Sequence, residues 1–561
     1  MQQAAILSNK IRQFFTFERI FLLIVLAAFI LRFWQPDLKL FHHDEVVHSW
    51  FSYELLTRGA WVYDPSFHGP FLYYATAGMF SVFGDSDLVG RILPALFGFL
   101  LVPLVYCIFR LGYLDKTQTL VAALFLAISP DMVYFSRFLR HDIFMLFFTL
   151  LLLIAILWYF ERGQTRYAVL AAIATGGALS CKEEMPFFLL VFISFFAFAL
   201  WHKRFVLPSG WKKDLVIGVI ITLGILGALY SSFGVHPETI LGRNFQIGLQ
   251  GINFQVNTTG WYTAVDHWVG MHNEQRLGGP FYFYIPLYLL YELPIFLLAI
   301  MGTLQFLARD AGNSPLFKKA KNWFSRRRFI LPVSEPANTS LSQMQVGKDG
   351  SEKPELFFQF CIYWMILTMA FYAWVGEKVP WLLIPQLLPM CFVAVYKLNW
   401  QKMAFAILGC VFLIVMTWHV AFVPADISEP IVQVQNSEDL RGVMQVMDKA
   451  GLIVITSPDY WPFPWYYRGD TWKNDVLLYS NQSDINALLQ KKPDVIILHE
   501  EESFPSLPGY RKTTCRQSYW FSFYDNENRL PDYYLRRDGK VGNITIDVFT
   551  PLSSPLVPVC A

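Results

Sequence analysis

The segment FHHDEVVHSW, residues 41–50, places two histidines beside two adjacent carboxylates, Asp44 and Glu45. It directly follows a mostly apolar run near residues 17–36 that is long enough to cross a bilayer. A carboxylate here can serve as a general base, and an imidazole can donate or accept a hydrogen bond. From these residues alone, a catalytic pair and an ordinary polar turn at the end of a span both stay open.

Further polar stretches follow along the chain. They are DPSFHGP (64–70), SRFLRHD (136–142), CKEE (181–184), HNEQRLGGP (272–280) and GEKVPW (376–381). Guanidinium and ammonium groups suit a phosphate, and carboxylates can orient these cations. The candidate binding residues are His43, His68, Arg137, Arg140, His141, Asp142, Lys182, Glu183, Glu184, Glu377 and Lys378. The alternative for the cations, above all for Arg137, is that they reach the membrane interface without binding a ligand.

Composition indicates what kind of protein carries these groups. The chain has 561 residues, of which 55% are hydrophobic and 16% charged, whereas soluble proteins contain about 25% charged residues. This predicts a polytopic α-helical membrane protein. The net charge of +2 is too small to indicate a nucleic-acid partner.

Eleven apolar runs are expected to span the membrane. They lie near 17–36, 88–109, 117–135, 142–160, 166–181, 185–201, 214–233, 281–307, 357–375, 379–396 and 403–423. Short loops rich in Lys and Arg alternate with loops that contain few cations, which predicts a cytoplasmic N-terminus. No small-residue cleavage site follows the first apolar run, so this run is expected to remain as an uncleaved first span.

With this topology, every polar stretch named above falls on the outer side of the membrane. The runs that flank CKEE contain only about 14–17 residues, fewer than the roughly 20 that a perpendicular helix needs. Lys182, Glu183 and Glu184 are therefore expected below the outer membrane surface, in a polar cavity. Ionisable groups at such a depth are usually functional.

The chain divides into a membrane domain, 1–424, and a small extracytoplasmic α/β domain, 425–561, in which short apolar strands alternate with helix-like segments. A basic loop, 308–355, is expected in the cytoplasm against lipid headgroups. The aromatic segment WPFPWYYRG (461–469) fits a sugar-stacking or membrane-facing loop and a buried turn equally well. Cys515 and Cys560 are the two candidates for a disulfide, because the other five cysteines lie in or beside apolar runs; the sequence leaves open whether they pair.

The ordered set of motifs resembles the GT-C superfamily of integral-membrane glycosyltransferases, which includes the dolichyl-phosphate-mannose protein mannosyltransferases and the lipid-A aminoarabinose transferases. More narrowly, HHDE, SRFLRHD, KEE, GEKVPWL and PWYYR in this order resemble an archaeal and bacterial branch known as flippase activity-associated proteins. The resemblance extends over most of the chain.

This resemblance implies transfer of a sugar from a polyprenyl- or dolichyl-phosphate donor to a cell-surface glycan, lipid or protein acceptor on the outer face. It favours Asp44 as the base, with Glu45 as second choice or as a residue that positions the base. It also favours Arg137, Arg140 and Lys182 as ligands of the lipid phosphate. Asp142 and Glu184 are expected to orient these cations. The less favoured alternative is that Asp142 and Glu184, together with Asp44 and His43, hold a divalent metal. The favoured hypothesis requires no cofactor.

The expected partners are the lipid-linked donor, membrane lipids and, as an option, a partner glycosyltransferase, with no nucleic acid. A rival hypothesis is a non-enzymatic role in flipping lipid-linked sugars. A flippase needs a polar path open to both leaflets, whereas the ionisable residues of this chain are predicted to cluster on one side.

Overall fold

The computed structural model describes residues 16–241, 243–249, 252–258, 260–274, 279–313, 352–424, 426–455, 461–471, 476–478, 485–502 and 504–560. Most of the predicted basic loop, 308–355, lies outside the described residues, so this prediction stays untested.

The N-terminal part of the described chain is helical. Its helices are α1 Phe17–Phe33, α2 His43–Arg58, α3 Phe71–Phe83, α4 Asp87–Arg110, α5 Lys116–Ile128, α6 Pro130–Ser136, α7 His141–Arg162, α8 Thr165–Leu179, α9 Met185–Trp201, α10 Trp211–Tyr230 and α11 Glu238–Leu241. An antiparallel hairpin of β1 Arg243–Leu249 and β2 Ile252–Thr258 follows α11.

Six more helices complete the membrane part. They are α12 Gly260–Glu274, α13 Tyr284–Tyr291, α14 Leu293–Asn313, α15 Glu352–Trp374, α16 Ile384–Ala394 and α17 Trp400–Phe422. One continuous apolar core joins most of these helices, and its residues come from α1 through to α17.

Five of the described helices, α4, α7, α10, α15 and α17, are long and apolar enough to cross a membrane. Two bent pairs, α5 with α6 and α13 with α14, raise this number to seven if each pair is one span. The prediction of a multi-pass, mostly helical membrane protein is therefore confirmed. Each of the eleven predicted runs contains a helix, but α1, α8 and α9 have only 17, 15 and 17 residues, so the count of eleven stays a prediction.

A proline lies within two residues after each break between the paired helices. Pro130 begins α6, and Ser129 before it has an extended backbone, with φ −59° and ψ 127°, because a proline disfavours helical geometry in the residue that precedes it. The second break lies at Glu292, two residues before Pro294. The axes change direction by 55° at the first break and by 113° at the second.

Two buried charged side chains satisfy the backbone groups exposed at the first break. Arg32, fully buried, donates to the carbonyl oxygens of Leu126 and Ala127 at the end of α5, at 2.8 and 3.1 Å. Glu292 accepts from the Asp131 amide at the start of α6, at 3.1 Å. A cation at a helix C-terminus and a carboxylate at an N-terminus both complement the helix dipole, so this break is stabilised inside the apolar core.

The HHDE motif begins a helix rather than forming a loop. His42 and Glu45 form a capping box at the start of α2, in which His42 Nδ1 accepts from the Asp44 amide at 3.1 Å and Glu45 accepts from the His42 amide at 2.9 Å. Gly59 ends the helix in a left-handed conformation, φ 80°. α3 packs against α2 as a second helix between the first two predicted spans.

A six-stranded mixed sheet follows the membrane part, in the order β3-β7-β8-β6-β4-β5. Its strands are β3 Gln435–Asn436, β4 Ile453–Ile455, β5 Val476–Leu478, β6 Val495–His499, β7 Tyr510–Phe521 and β8 Val541–Pro551. The helices between them are α18 Asp439–Met447, α19 Phe463–Tyr466, α20 Ile485–Gln490, α21 Phe523–Asn526 and α22 Leu530–Arg536. The predicted small α/β region is therefore confirmed.

The parallel strands β4, β5 and β6 lie on short apolar segments, as predicted for this region, whereas the long antiparallel pair β7 and β8 was not predicted. The structure decides the cysteine pairing that the sequence left open: Cys515 in β7 is bonded to Cys560, with 5.3 Å between their Cα atoms.

The aromatic segment 461–469 forms a buried turn rather than an open loop. The side chain of Trp465 is fully buried, and its Nε1 donates to Asp87 at 2.7 Å. The Tyr466 hydroxyl donates to the other oxygen of Asp87 at 2.9 Å, and Arg468 forms an ion pair with Asp85. These contacts attach the sheet region to the start of α4.

Replacing Arg32 tests the role of the capped break. We expect Arg32→Leu to reduce the free energy of unfolding by about 2–4 kcal/mol, because it leaves buried carbonyl groups without donors. Arg58→Leu is the matched control, since Arg58 is 76% exposed and its ion pair with Glu54 is a surface contact. Thermal unfolding of both variants in detergent micelles measures the difference. Equal losses would contradict the capping role.

Candidate active site

A cavity of about 500 Å³ lies where the predicted polar stretches meet. It is lined by six predicted residues, namely His68, Arg140, Lys182, Glu183, Glu184 and Glu377. The remaining walls are mainly apolar and aromatic and come from α12, from the end of α15 and from residues 381–382. Polar stretches that are far apart in the sequence therefore converge on one space.

A chain of alternating charges runs from α2 to the cavity. Asp44 forms an ion pair with Arg140. Arg140 Nε lies 3.1 Å from Asp142, whose other oxygen lies 2.8 Å from Lys182 Nζ. Lys182 also forms an ion pair with Glu184. The chain contains two cations and three carboxylates, so each cation is held between two carboxylates.

Burial makes these pairings strong. The side chains of Asp142 and Lys182 are 2% and 3% exposed, and that of Arg140 is 10% exposed. The Arg140 guanidinium also lies 3.6 Å from the centre of the Trp381 ring, a cation–π contact. Within the described part of the chain, Arg140 Nη2 has no hydrogen-bond partner, so this arginine retains donors that can face an anion in the cavity.

Asp44 occupies the more accessible end of the charge chain, with 29% of its side chain exposed. Burial by itself would raise the pKa of Asp44, but the charge of Arg140 and the neighbouring histidines outweigh it, so that the pKa lies below its ordinary value. Asp44 is therefore ionised at neutral pH, which is the state that a general base needs.

Glu183 belongs to a second group of contacts at the cavity. Its two oxygens accept separately from Tyr63 and from His68 Nδ1, both at 2.9 Å. The imidazole of His68 is parallel to the Trp268 ring, with centroids 5.2 Å apart. Two donors thus fix the orientation of the Glu183 carboxylate.

Two histidines behind the cavity carry unpaired lone pairs. Tyr73 donates to the Phe67 carbonyl at 2.7 Å and accepts from His48 Nδ1 at 2.9 Å, which leaves His48 Nε2 as a bare acceptor. His141 Nε2 donates to the Gly69 carbonyl at 3.0 Å, which leaves its Nδ1 bare. His48 follows Asp44 by four residues and lies on the same face of α2.

Several predicted residues do not reach the cavity. Glu45, fully buried, accepts from Arg91 Nε and from the Leu139 amide, each at 2.8 Å, so its oxygens are already occupied. This geometry supports a structural role for Glu45 and not its prediction as second-choice base. His141 is fully buried against Gly69, and His43, Asp44 and Asp142 are not among the residues that line the described cavity. Asp44 and Asp142 are connected to it through their ion pairs with Arg140 and Lys182.

Two further predicted residues, Arg137 and Lys378, donate to backbone carbonyl groups and do not line the described cavity. Arg137 donates to the carbonyl oxygens of Trp34 and Gln35, each at 2.6 Å, and thus holds the end of α1 instead of facing a phosphate. Lys378 donates to the carbonyl oxygens of Tyr372 and Ala373, at 2.7 and 2.9 Å. Carbonyl groups at the end of α15 therefore occupy its ammonium group.

The cavity wall formed by α12 was not predicted. Its lining residues follow a helical spacing and are Trp261, Ala264, Val265, Trp268, Val269 and His272. The spacing of three and four residues is a sequence signal for an amphipathic helix. A window of about 19 residues averages this face with its polar neighbours, which is why a search for spans misses it.

No group of three or more His, Cys, Asp or Glu side chains within the described chain is arranged to hold a metal ion. Metal independence stays a prediction, because only an assay of transfer with and without divalent ions tests it.

Comparisons with known proteins agree with the resemblance. A family model described as dolichyl-phosphate-mannose-protein mannosyltransferase matches residues 67–227. The undecaprenyl phosphate-alpha-4-amino-4-deoxy-L-arabinose arabinosyl transferase 1 of Pseudomonas fluorescens is 24% identical over 362 residues, which are 62% of this chain. The chain spans about half the length of this relative, 53%.

Two solved structures of ArnT from Cupriavidus metallidurans share the fold. The structure bound to undecaprenyl phosphate has a TM-score of 0.51 and 13% identity and covers 96% of this chain and 99% of ArnT. The apo structure has a TM-score of 0.51 and 14% identity and covers 94% of this chain and 97% of ArnT. These structures show that the chain shares the ArnT fold, which agrees with the predicted resemblance to the GT-C superfamily. The narrower likeness to flippase activity-associated proteins stays a prediction.

The buried histidines of α2 predict a pH dependence of stability. Burial, with a further contribution from Arg140, lowers the pKa of His48 from 6.5 to about 3. Between these values the unfolded chain binds a proton that the folded protein does not, so stability falls as the pH decreases from 6.5. We expect a loss of about 2 kcal/mol from this histidine by pH 5.

Thermal unfolding of His48→Gln at pH 7 and pH 5 measures this effect, and the variant should lose less stability than the wild type on acidification. His202→Gln is the control, because His202 is exposed at the end of α9. If His48→Gln and the wild type lose the same stability, His48 is not the group that takes up the proton on unfolding.

Proposed function

We propose that the protein is a membrane glycosyltransferase that moves a sugar from a polyprenyl- or dolichyl-phosphate donor to an acceptor on the outer face. One observation carries this proposal. Arg140 and Lys182 are buried at a single cavity beside an ionised Asp44, within a fold shared with an enzyme solved with undecaprenyl phosphate.

In this reaction the acceptor oxygen forms a bond to the anomeric carbon while the bond from that carbon to the phosphate oxygen breaks. The departing lipid phosphate keeps the electron pair and gains negative charge, which Arg140 and Lys182 stabilise in a site of low dielectric. The acceptor proton goes to Asp44. Asp142, held between the two cations, fixes their positions.

The ion pair between Asp44 and Arg140 couples donor binding to the base. A phosphate that binds Arg140 competes with Asp44 for the guanidinium. Because Arg140 is the main charge that lowers the pKa of Asp44, weakening this ion pair raises the basicity of Asp44 when the donor is in place. The carboxylate is thus a weak base in the empty site and a stronger one in the donor complex.

The flipping role is the less favoured alternative. The ionisable residues of the cavity lie at the converging ends of the polar stretches, whereas translocation requires a polar path across the bilayer. The relative that matches 62% of the chain is named as a transferase.

The finer architecture belongs to the same proposal. We infer eleven spans, a cytoplasmic N-terminus, a membrane domain of residues 1–424 and an extracytoplasmic domain of residues 425–561. The protein lies in the cell membrane, acts without a required cofactor and contacts membrane lipids, with a partner glycosyltransferase as an optional component.

The base is tested with Asp44→Asn, which keeps the shape of the side chain but cannot accept the proton. Transfer should fall by roughly 10²-fold or more, since general-base catalysis contributes on the order of 10² to 10⁴, while the lipid-linked donor still binds. Purified protein in liposomes with labelled polyprenyl-phosphate sugars gives both readouts. Asp37→Asn, at an exposed neighbouring carboxylate, is the control.

Two results would count against this assignment. Transfer at the wild-type rate by Asp44→Asn would remove Asp44 as the base. Translocation of lipid by the wild type without any transfer would make the flipping role the better hypothesis.

Topology is tested by cysteine labelling from outside intact cells. A probe at Glu500, which is exposed, should react at once, whereas a probe at Ser340 should react only after the membrane is permeabilised. The reverse order of labelling would overturn the inferred orientation.

A further inference from the structure

The α12 wall of the cavity has the chemistry of a sugar-binding surface. Trp261 and Trp268 line the cavity from one face of this helix, and Trp374 and Trp381 line it from the end of α15 and the segment that follows. Aromatic rings offer flat apolar surfaces, and the C–H faces of a pyranose ring can stack on such surfaces. Aromatic stacking alone does not identify the ligand, because a prenyl chain also fits an apolar wall.

Two polar groups beside these rings separate the alternatives. The Nε1 of Trp268 is buried and has no hydrogen-bond partner among the described residues. Glu183 lines the same cavity, and each of its oxygens, which already accept one hydrogen bond from Tyr63 or His68, retains a further lone pair. His68 connects the two groups, since it stacks on Trp268 and donates to Glu183.

A hydrocarbon chain in this space would leave the indole N–H unpaired and would further desolvate a carboxylate, both of which cost free energy. A sugar ring satisfies both groups, because its hydroxyls can accept from Trp268 and donate to Glu183. The position also fits the chemistry: Glu183 follows Lys182 in the sequence, and a sugar joined to phosphate through one oxygen must lie next to the cations that hold the phosphate.

We propose that Trp268 and Glu183 bind the sugar ring of the lipid-linked donor, Trp268 by stacking and through its N–H, and Glu183 by accepting from ring hydroxyls. This inference rests on the proposed function and assigns the parts of the donor within one cavity. Arg140 and Lys182 bind the phosphate, and α12 together with the fixed Glu183 distinguishes a donor that carries a sugar from the bare lipid phosphate.

The test compares the affinity for a short-chain polyprenyl phosphate with the affinity for its mannosyl, glucosyl and 4-amino-4-deoxyarabinosyl derivatives. The wild type should bind at least one of the derivatives more tightly than the bare lipid. Trp268→Phe, which keeps a ring but removes the N–H, should reduce this preference about 3- to 10-fold, and Glu183→Gln should reduce it about tenfold or more. Binding of the bare lipid should change less than about twofold.

Trp201→Phe is the matched control, since Trp201 is 84% exposed at the end of α9, and it should leave both affinities unchanged. Arg140→Ala should weaken binding of the bare lipid phosphate and of its sugar derivatives to the same extent. Trp268→Ala gives a second variant that removes stacking and N–H together, and its loss of preference should exceed that of Trp268→Phe.

The outcomes separate the two proposals. The sugar assignment is overturned if Trp268→Phe and Glu183→Gln both keep the wild-type preference for a derivative. It is also overturned if both variants weaken binding of the bare lipid as much as binding of the derivatives. In either case lipid-phosphate binding stands. A wild type that binds the bare lipid without favouring any derivative also overturns the sugar assignment. If the wild type binds no polyprenyl phosphate at all, the proposed function itself fails.

Discussion

Charge pairing among buried side chains sets the arrangement of the cavity. Asp44, Arg140, Asp142, Lys182 and Glu184 come from three separate segments, and each makes its ion pair within one continuous chain. An unpaired charge at this depth would cost several kcal/mol. Two of these pairs, Asp44 with Arg140 and Asp142 with Lys182, join different segments, so burying these charges with their partners requires the three segments to come together. The same requirement that fixes the fold places cations beside a carboxylate, which is the arrangement that transfer from a lipid phosphate needs.

The sheet region contributes to the site without entering the cavity. The side chains of Gln435 and Asn436 in β3 donate to the carbonyl oxygens of Leu40 and Phe41, at 3.1 and 2.7 Å. These two carbonyl groups directly precede the start of α2. The sheet therefore holds the entry to the helix that carries Asp44, and together with the buried turn at 461–469 it prevents this segment from behaving as a free loop. Positioning of a base within a few tenths of an ångström requires this kind of support.

Much of the fold follows from hydrophobicity alone. The eleven apolar runs all contain helices, and the three short apolar strands near 453, 476 and 495 are present. The bends and the helices α2, α3 and α12 could not be placed in this way. Pro130 and Pro294 are visible signals for a break, but whether a break is tolerated depends on partners such as Arg32 and Glu292, which are distant in the sequence. The antiparallel pair β7 and β8 depends in the same way on long-range pairing.

For the site, the sequence by itself determined the class of protein, the residue types that can do the chemistry and the segments that carry them, because apolar length and charge placement are local properties. Only the tertiary structure decided which of these residues meet a ligand. Glu45 and Arg137 belong to the same motifs as Asp44 and Arg140, yet Glu45 is satisfied by Arg91 and Arg137 by backbone carbonyls. The same is true of Trp268, whose position at the cavity depends on how α12 packs. A side chain's role is set by which donors and acceptors surround it, and these surroundings exist only once distant segments have folded together.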